Sequence, residues 1–472
     1  MNHEEISRRI DRFIEEHREE MIRELMDWVR IPSVSRADLY QNGAPYGPDV
    51  RKMLDHALKR CRDYGFRTAD HEGYCGSAWY GDSADEIGFY AHLDVVPEGP
   101  NWIYEPYEPV VKDGYVIGRG ADDNKAAGVL GLYIMRFLQE NNIQLKHAFR
   151  LMLGCAEETG MDDFRTFLLR GGRVPEFGIV ADAGFPVCYA QKGGWNADLL
   201  VPKGRDIIDF RAGSVRNAVP GSAELVIRAE EESVRAALSG AEDFEVFPQD
   251  KDTVRIVAKG RGGHAAFPSG TDNAATKLAA VFKALPGCDL RGLDFIARVF
   301  RDPYGAGMGF SCEDEVSGKL TSNAGVFSVS GDFIRVLVDV RYPVSAEIDE
   351  MTDAFKNQLA SCGVTMEALQ IERPFYIDPE DGKVRALQAC YRAVTGRMDE
   401  PYAMGGGTYS RVIPGAISFG PGSAHQMPEF LPEGHGSAHG PDEVLHIESW
   451  LQAFRIYVLS ILRLSGADDS TL

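Results

Sequence analysis

IGFYAHLDVVPEG, residues 87–99, is the stretch on which the fold turns. It opens as a short apolar run of strand length and keeps its polar residues for the carboxyl end, where His92 and Asp94 stand two apart. In extended backbone that spacing turns both side chains to one face. Crevices beyond the carboxyl ends of strands are where α/β folds bind ligands.

The same arrangement recurs on either side of this run. After the turn GRG comes a helical pattern over 125–141, rich in Ala, Leu and Met, with Gly128 and Gly131 as small residues that allow close packing. Residues 147–155 read as the next strand, 162–170 as a helix and 177–181 as a further strand, and acids follow the strands each time: Asp122 and Asp123 after the turn, Glu157 and Glu158, then Asp182. Upstream, Ile6, Ile10, Phe13, Ile14, Met21, Leu25 and Trp28 lie near helical spacing up to about residue 30, where Ile31-Pro32 stops the helix; a second helix over 50–64 closes at Gly65.

Beyond about residue 190 the texture changes to period-two segments, GWNADLLVP, SAELVIRA and VRIVAKG, joined by polar turns, with strands at 325–330 and 333–342 and helices at 273–285 and 350–362. Helical patterns return at 382–395 and 448–462. The expectation is an α/β fold: a catalytic α/β domain with a mixed sheet and helices, built from 1–188 and 381–472, interrupted by an inserted α+β domain over 189–380. A chain of 472 residues is long enough for two cores.

Hydrophobic content of 44% and charged content of 26% are those of a globular protein. A net charge of −21 argues against nucleic acid, which requires a concentrated positive surface. The 8 cysteines are scattered without a CxxC pair, which fits reduced thiols. The opening residues are charged throughout, and the apolar stretch 456–462 is far short of the roughly 20 residues that cross a bilayer. A cytoplasmic protein without a membrane partner is expected.

The chemistry lies in the strand-end residues. His92 is a candidate metal ligand, and Asp94 can take its second N–H and fix the ring. Of Asp122 and Asp123, adjacent in the chain, one could bridge two cations while the other turns to a backbone amide. Glu157 and Glu158 would repel each other unless cations or protons intervene, so one would ligate and the other accept a proton from an attacking water. Asp182 adds an oxygen ligand, and His439, followed by PDE and a helix, is preferred over His425 and His435 as the distant imidazole. Two mixed N/O shells sharing an aspartate would hold a metal pair able to polarise a carbonyl. In the middle segment, His264 lies among small residues with little local reason to be exposed; it is either packed or a donor to an oxyanion. Asn217 could orient the same region, and Arg341 either pairs with a substrate carboxylate or forms a strand-end ion pair. The run GGGTYSR (405–411) lacks the GK[ST] ending of a phosphate loop and reads as a loop close to substrate, with Gly406, Gly407 and Thr408 offering donors.

The ordered motifs HLDVVPEG, GRGADDNK, AEE, ADAG and HGPDE, with RNAVPG, GHAAFP and DVRYP between them, resemble the M20 metallopeptidase family, in its long bacterial dipeptidase branch of the PepV type. The resemblance spans nearly the whole chain. It implies His92, Asp123 and Asp182 on one metal and Asp123, Glu158 and His439 on the other, with Glu157 as base and proton shuttle and Asp94 orienting His92. It also implies a lid domain whose His264 stabilises the tetrahedral intermediate, Asn217 and Arg341 assisting substrate binding, and the loop with Gly406, Gly407 and Thr408 receiving the substrate's C-terminus. Two divalent ions per chain are implied, zinc favoured and manganese or cobalt as alternatives. The implied reaction is hydrolysis of short peptides, dipeptides with a free N-terminus foremost. The alternatives are an N-acyl-amino-acid amidohydrolase or carboxypeptidase on the same centre, and a noncatalytic metal-dependent peptide-binding protein. A monomer is implied, with a homodimer as the alternative. The chain departs from the family pattern at Asn124, where an acid often follows the bridging aspartate, and at Ala126-Ala127; neither is a proposed ligand.

Overall fold

The computed structural model describes residues 3–422 and 427–466. The strand Glu86–His92 is buried from Ile87 onward and lies between two parallel neighbours, Ala148–Gly154 and Phe177–Val180. Six consecutive strands of this nine-stranded sheet are, in order, Arg67–His71, Cys75–Tyr80, Ala148–Gly154, Glu86–His92, Phe177–Val180 and Ala416–Phe419. The first two of these pair antiparallel and Ala416–Phe419 joins Phe177–Val180 parallel, so the sheet is mixed and the fold is mixed α/β.

Alternation along the central strand sorts its side chains onto two helical layers. Phe89 meets the edge of Tyr457 from the last helix, Ile447–Leu464, with ring centroids 4.9 Å apart. On the same side Phe13 of helix His3–Val29 packs against Phe137 and Phe454, both at 5.5 Å. Helix Lys125–Glu140 is buried from Lys125 to Leu138, and its small residues explain how. A Cβ on Gly131 would stand 2.4 Å from Leu151 and 3.1 Å from Phe89, and one on Gly128 would stand 2.7 Å from Trp28. Tyr90 points the other way, onto Phe164 of helix Asp162–Leu169, which in turn meets Tyr409. Each such buried Leu, Val or Phe is worth about 1.5–3 kcal/mol.

The chain divides into two compact units: Met1–Tyr189 with Ile377–Tyr402 and Thr408–Leu472, and Ala190–Tyr376 with Ala403–Gly407. The second unit is an antiparallel sheet in the order Phe244–Pro248, Thr253–Lys259, Ser222–Arg228, Ile207–Ala212, Thr321–Ser330, Phe333–Tyr342, Gly193–Pro202, Thr365–Glu372. Its strands alternate as a half-covered sheet must: Val254, Ile256 and Ala258 are buried while Arg255 and Val257 are only partly covered. Its core includes Leu278 and Phe282 of Ala274–Phe282, Leu293 and Ile296 of Arg291–Phe300, and Phe355 of Ile348–Ser361. Trp195 is buried in that core and donates its N–H to Thr352 at 3.0 Å.

Several elements are not announced by hydrophobic pattern. The hairpin Arg67–His71 with Cys75–Tyr80 carries a mostly polar outer strand. Ala416–Phe419 is a four-residue strand between glycines. Arg291–Phe300, by contrast, is amphipathic, with Arg291, Asp294 and Arg298 exposed at helical spacing and the residues between them buried. No helix among the described residues is long and apolar enough to cross a membrane.

Candidate metal centre

Residues from the ends of three parallel strands and from a distant loop converge in the first unit. His92 closes Glu86–His92, Glu157 and Glu158 follow Ala148–Gly154, and Asp182 follows Phe177–Val180. Two groups of ligand atoms result, each with all its atoms within 4.8 Å of one another: His92, Asp123 and Asp182, and Asp123, Glu158 and His439. Asp123 belongs to both. Its Oδ1 lies 3.0 Å from His92 Nε2 and its Oδ2 lies 3.0 Å from His439 Nε2. His439 Nε2 is also 3.0 Å from Glu158 Oε1, and His92 Nε2 is 3.7 Å from Asp182 Oδ1. Of the adjacent pair Asp122 and Asp123, only the second enters a cluster; Asp122 lines a 190 Å³ cleft with Asp123, Asn124, Asp182 and Pro421.

The electrostatics show what this grouping lacks. Burial lowers the His92 pKa, yet its bonds to Asp123 and Asp182 outweigh that and raise it well above the usual imidazole value. Hydrogen bonds to Asp123 and Glu158 push His439 up to about 11. Burial raises Asp123, but its bonds to the two imidazoles win and hold it low. The remaining acids go the other way: burial and then the charge of Asp123 lift Glu158 to about 7, burial and then Asp182 lift Glu157 well above its ordinary value, and burial and then Glu443 lift Asp122 to about 8. Carboxylates outnumber imidazoles here, and protons held on nitrogen and on acids stand in for missing positive charge. The site therefore fits a pair of divalent cations. The donor geometry agrees, because the Nδ1 atom of His92 lies 2.9 Å from the Asp94 carbonyl oxygen and leaves Nε2 aimed between Asp123 and Asp182.

Supporting residues make these loops one piece. The Asp94 carboxylate accepts the amides of Glu157 and Glu158, both at 3.1 Å. Asn124, which interrupts the acidic run, accepts the His92 amide at 3.2 Å while its own NH2 donates to the Ala181 carbonyl at 2.7 Å and to Asp182 at 3.2 Å. A carboxylate could accept but not donate, so an amide is the group that ties these strand ends together. Asp163 accepts the amides of Cys155 and Ala156 at 2.6 and 2.9 Å and the Tyr409 hydroxyl at 2.5 Å, fixing the loop that leads to Glu157. The sequence signal for Asn124 is only its place beside Asp123; Asp163 gives none, as it opens a helix where an acid is ordinary.

The other candidates are placed as follows. Ala218 and His264 are register partners, and Asn217 accepts the Ala265 amide at 2.9 Å, so Asn217 and His264 share one corner of the second unit. His264 is exposed, contrary to the expectation drawn from its small neighbours, beside the equally exposed Phe267 at 5.9 Å between rings. Those small residues form a two-residue bridge, Ala218–Val219 with Gly263–His264, in which the histidine is not covered. Arg341 forks onto Asp339 at 2.9 and 3.0 Å and reaches the Gly405 carbonyl at 3.5 Å, the ion-pair alternative for that residue. Gly406 and Gly407 belong to the second unit, whereas Thr408 begins a segment of the first. The Thr408 hydroxyl is turned inward, 2.7 Å from Ser418 Oγ, rather than standing open for a ligand carboxylate. His435 pairs with Asp442 at 2.5 Å and joins neither cluster, and His425 lies outside the described residues.

Strand-end acids and imidazoles gathered about one shared carboxylate define a candidate dinuclear metal site. Residues 88–463 match Peptidase family M20/M25/M40, and the chain belongs to that family. It is similar to a Bacillus subtilis (strain 168) protein named "Putative dipeptidase YtjP", 27% identical over 477 residues that span 95% of this chain and 98% of the relative. A Staphylococcus aureus (strain USA300) protein also named a "Putative dipeptidase" is 28% identical over 430 residues, 86% of this chain and 90% of its own. Among solved structures, the di-peptidase Dug1p from Saccharomyces cerevisiae superposes with a TM-score of 0.58 at 13% identity, covering 97% of this chain and 98% of that one. Human carnosine dipeptidase 1 gives 0.56 at 17%, covering 98% and 99%. These structural likenesses bear on the fold.

Proposed function

We propose that this chain is a dinuclear metal-dependent dipeptidase of the long PepV-type branch, acting on dipeptides with a free N-terminus. The observation that carries the reading is Asp123, whose two carboxylate oxygens each face a different imidazole and so belong to two ligand sets at once. His92, Asp123 and Asp182 would hold one cation and Asp123, Glu158 and His439 the other, zinc favoured and manganese or cobalt as alternatives. When bound, such a pair polarises a carbonyl and makes water a nucleophile at neutral pH.

The chain's own residues do the rest. Burial and then the charge of Asp182 raise the Glu157 pKa well above the ordinary carboxylate value, which suits this carboxyl to proton transfer. It takes the proton of the attacking water as the C–O bond forms, then returns it to the nitrogen as the C–N bond breaks. Asp94 keeps Glu157 in place by accepting its amide. His264 donates to the oxygen on which charge develops. Asn217 positions that histidine's corner, Arg341 is shared between Asp339 and the substrate, and the amides of Gly406 and Gly407 receive the terminal carboxylate. The names of two relatives, each a "Putative dipeptidase", support the choice of free dipeptides over N-acyl substrates.

Glu157→Gln tests the chemistry. Two ions per chain are expected to remain while turnover falls about 10²–10⁴-fold; undiminished turnover at full metal loading would rule the proton role out. Matched free and N-acylated dipeptides test the substrate class, and preference for the blocked series would move the assignment to an amidohydrolase.

A further inference from the structure

Beneath the loops of Asp123 and His439 lies a buried ion pair that the proposed chemistry does not use. Glu443 and Arg119 are 0% and 1% exposed. The strand Val444–His446 pairs with Tyr115–Ile117, and the pairing runs on as the Gly118 amide donates to the Glu443 carbonyl at 3.0 Å. Gly120 then takes a left-handed φ of 83°, open to glycine at little cost, and the loop curls around the Glu443 side chain. Each carboxylate oxygen ends with two donors. Oε2 accepts Arg119 Nη1 at 2.7 Å and the Gly120 amide at 2.9 Å; Oε1 accepts the amides of Asp122 at 2.8 Å and Asp123 at 2.9 Å. Arg119 closes the circuit, its Nη2 donating at 3.0 Å to the carbonyl of Gly440, the residue after His439.

Resting on the dinuclear reading above, we propose that Glu443 is a positioning residue for the metal centre, which with Arg119 clamps the backbone of the shared ligand Asp123 to the loop of His439. Only a carboxylate meets the demand. Four donors converge on two oxygens, whereas glutamine accepts at one atom and would turn its NH2 into other N–H groups. The clamp acts on the ligand common to both clusters, so its loss should weaken both cation sites together. Groups that orient a ligand in this way typically contribute about 10–100-fold to metal affinity.

The test compares Glu443→Gln with Glu24→Gln in the full chain. Glu24 is a matched control, a buried acid bonded to Trp28 Nε1 at 2.9 Å and to Arg60, among residues of neither cluster. Both variants should melt at lower temperature than wild type. Only Glu443→Gln should lose about 10–100-fold in affinity for both ions in Mn2+ or Zn2+ titrations, show faster amide exchange over 120–123 in the metal-free protein, and lower kcat with KM little changed. Arg119→Lys, which keeps the charge but cannot fork to Gly440, should shift the same readouts less, and it carries the test if Glu443→Gln does not fold. Wild-type affinity for both ions in the folded variants, beside a lowered melting point, would assign Glu443 to general stability and overturn the inference. A wild-type chain that binds fewer than two ions would bring down the dinuclear reading itself, and the inference with it.

Discussion

The two units treat their polar groups in opposite ways. At the strand ends of the first, carboxylates are buried and given backbone amides: Asp94 holds the amides of Glu157 and Glu158, Asp163 those of Cys155 and Ala156, and Glu443 those of Gly120, Asp122 and Asp123. In the second unit the candidate groups stand at the surface or are satisfied by side chains, with His264 exposed and Arg341 forked onto Asp339. The first arrangement is costly to fold without cations but is preorganised to receive them. The second places donors where a ligand can reach them at little cost to the fold. Metal affinity and stability should therefore respond to changes in the first unit, and turnover alone to changes in the second.

The largest expected effect is from Asp123→Ala. Because both clusters use this residue, both ions should be lost and hydrolysis should fall to background, whereas His439→Ala should spare the ion held by His92 and Asp182. Metal analysis of the purified variants measures this, and one tightly held ion in Asp123→Ala would separate the clusters. Next comes His264→Ala, which should cut turnover about 10²–10³-fold while leaving the metal count and the melting temperature as in wild type, since the ring is exposed. A parallel loss of metal would erase the contrast between the units.

A third outcome concerns pH. In the metal-free protein Glu158 keeps its proton to about 7 and His439 to about 11, each higher than in an unfolded chain. Through these two groups the folded state holds more protons than the unfolded one, and their contribution to stability should fall as pH rises from about 5 to 11, opposed above about 7 by the buried Lys125, which burial lowers to about 7. Cations need these ligands deprotonated, so metal binding should release protons and strengthen over the same interval. Melting curves with and without chelator, at several pH values, would show the two forms diverging; parallel curves would mean that these groups do not carry the site's charge. The smallest effect is Gly131→Ala. Its methyl would meet Leu151 at 2.4 Å, costing about 1–3 kcal/mol of stability with no change in ion count.

Much of the first unit is legible in the chain because its chemistry follows its hydrophobic pattern. The apolar runs before His92, Glu157 and Asp182 are strands, and the glycines of helix Lys125–Glu140 lie where Leu151 and Trp28 press close. What stays hidden is the second layer of contacts. Nothing local marks Asn124 as the residue joining two strand ends, or Glu443 as the acceptor for a loop more than three hundred residues earlier, because those roles arise only when the sheet brings the loops together. Thr408 misleads for the same reason: a hydroxyl beside three glycines reads as open, yet the short strand Ala416–Phe419 brings Ser418 up to cover it. His264 misleads in the opposite sense, since small neighbours suggest burial and instead form a narrow bridge that leaves the ring outside.

Anomalous diffraction from crystals grown with Mn2+ tests the central claim most directly. Two peaks about 3.5–4 Å apart are predicted, one beside His92 and Asp182, the other beside Glu158 and His439, with one oxygen of Asp123 on each. A single peak, or two peaks that Asp123 does not join, would contradict the account.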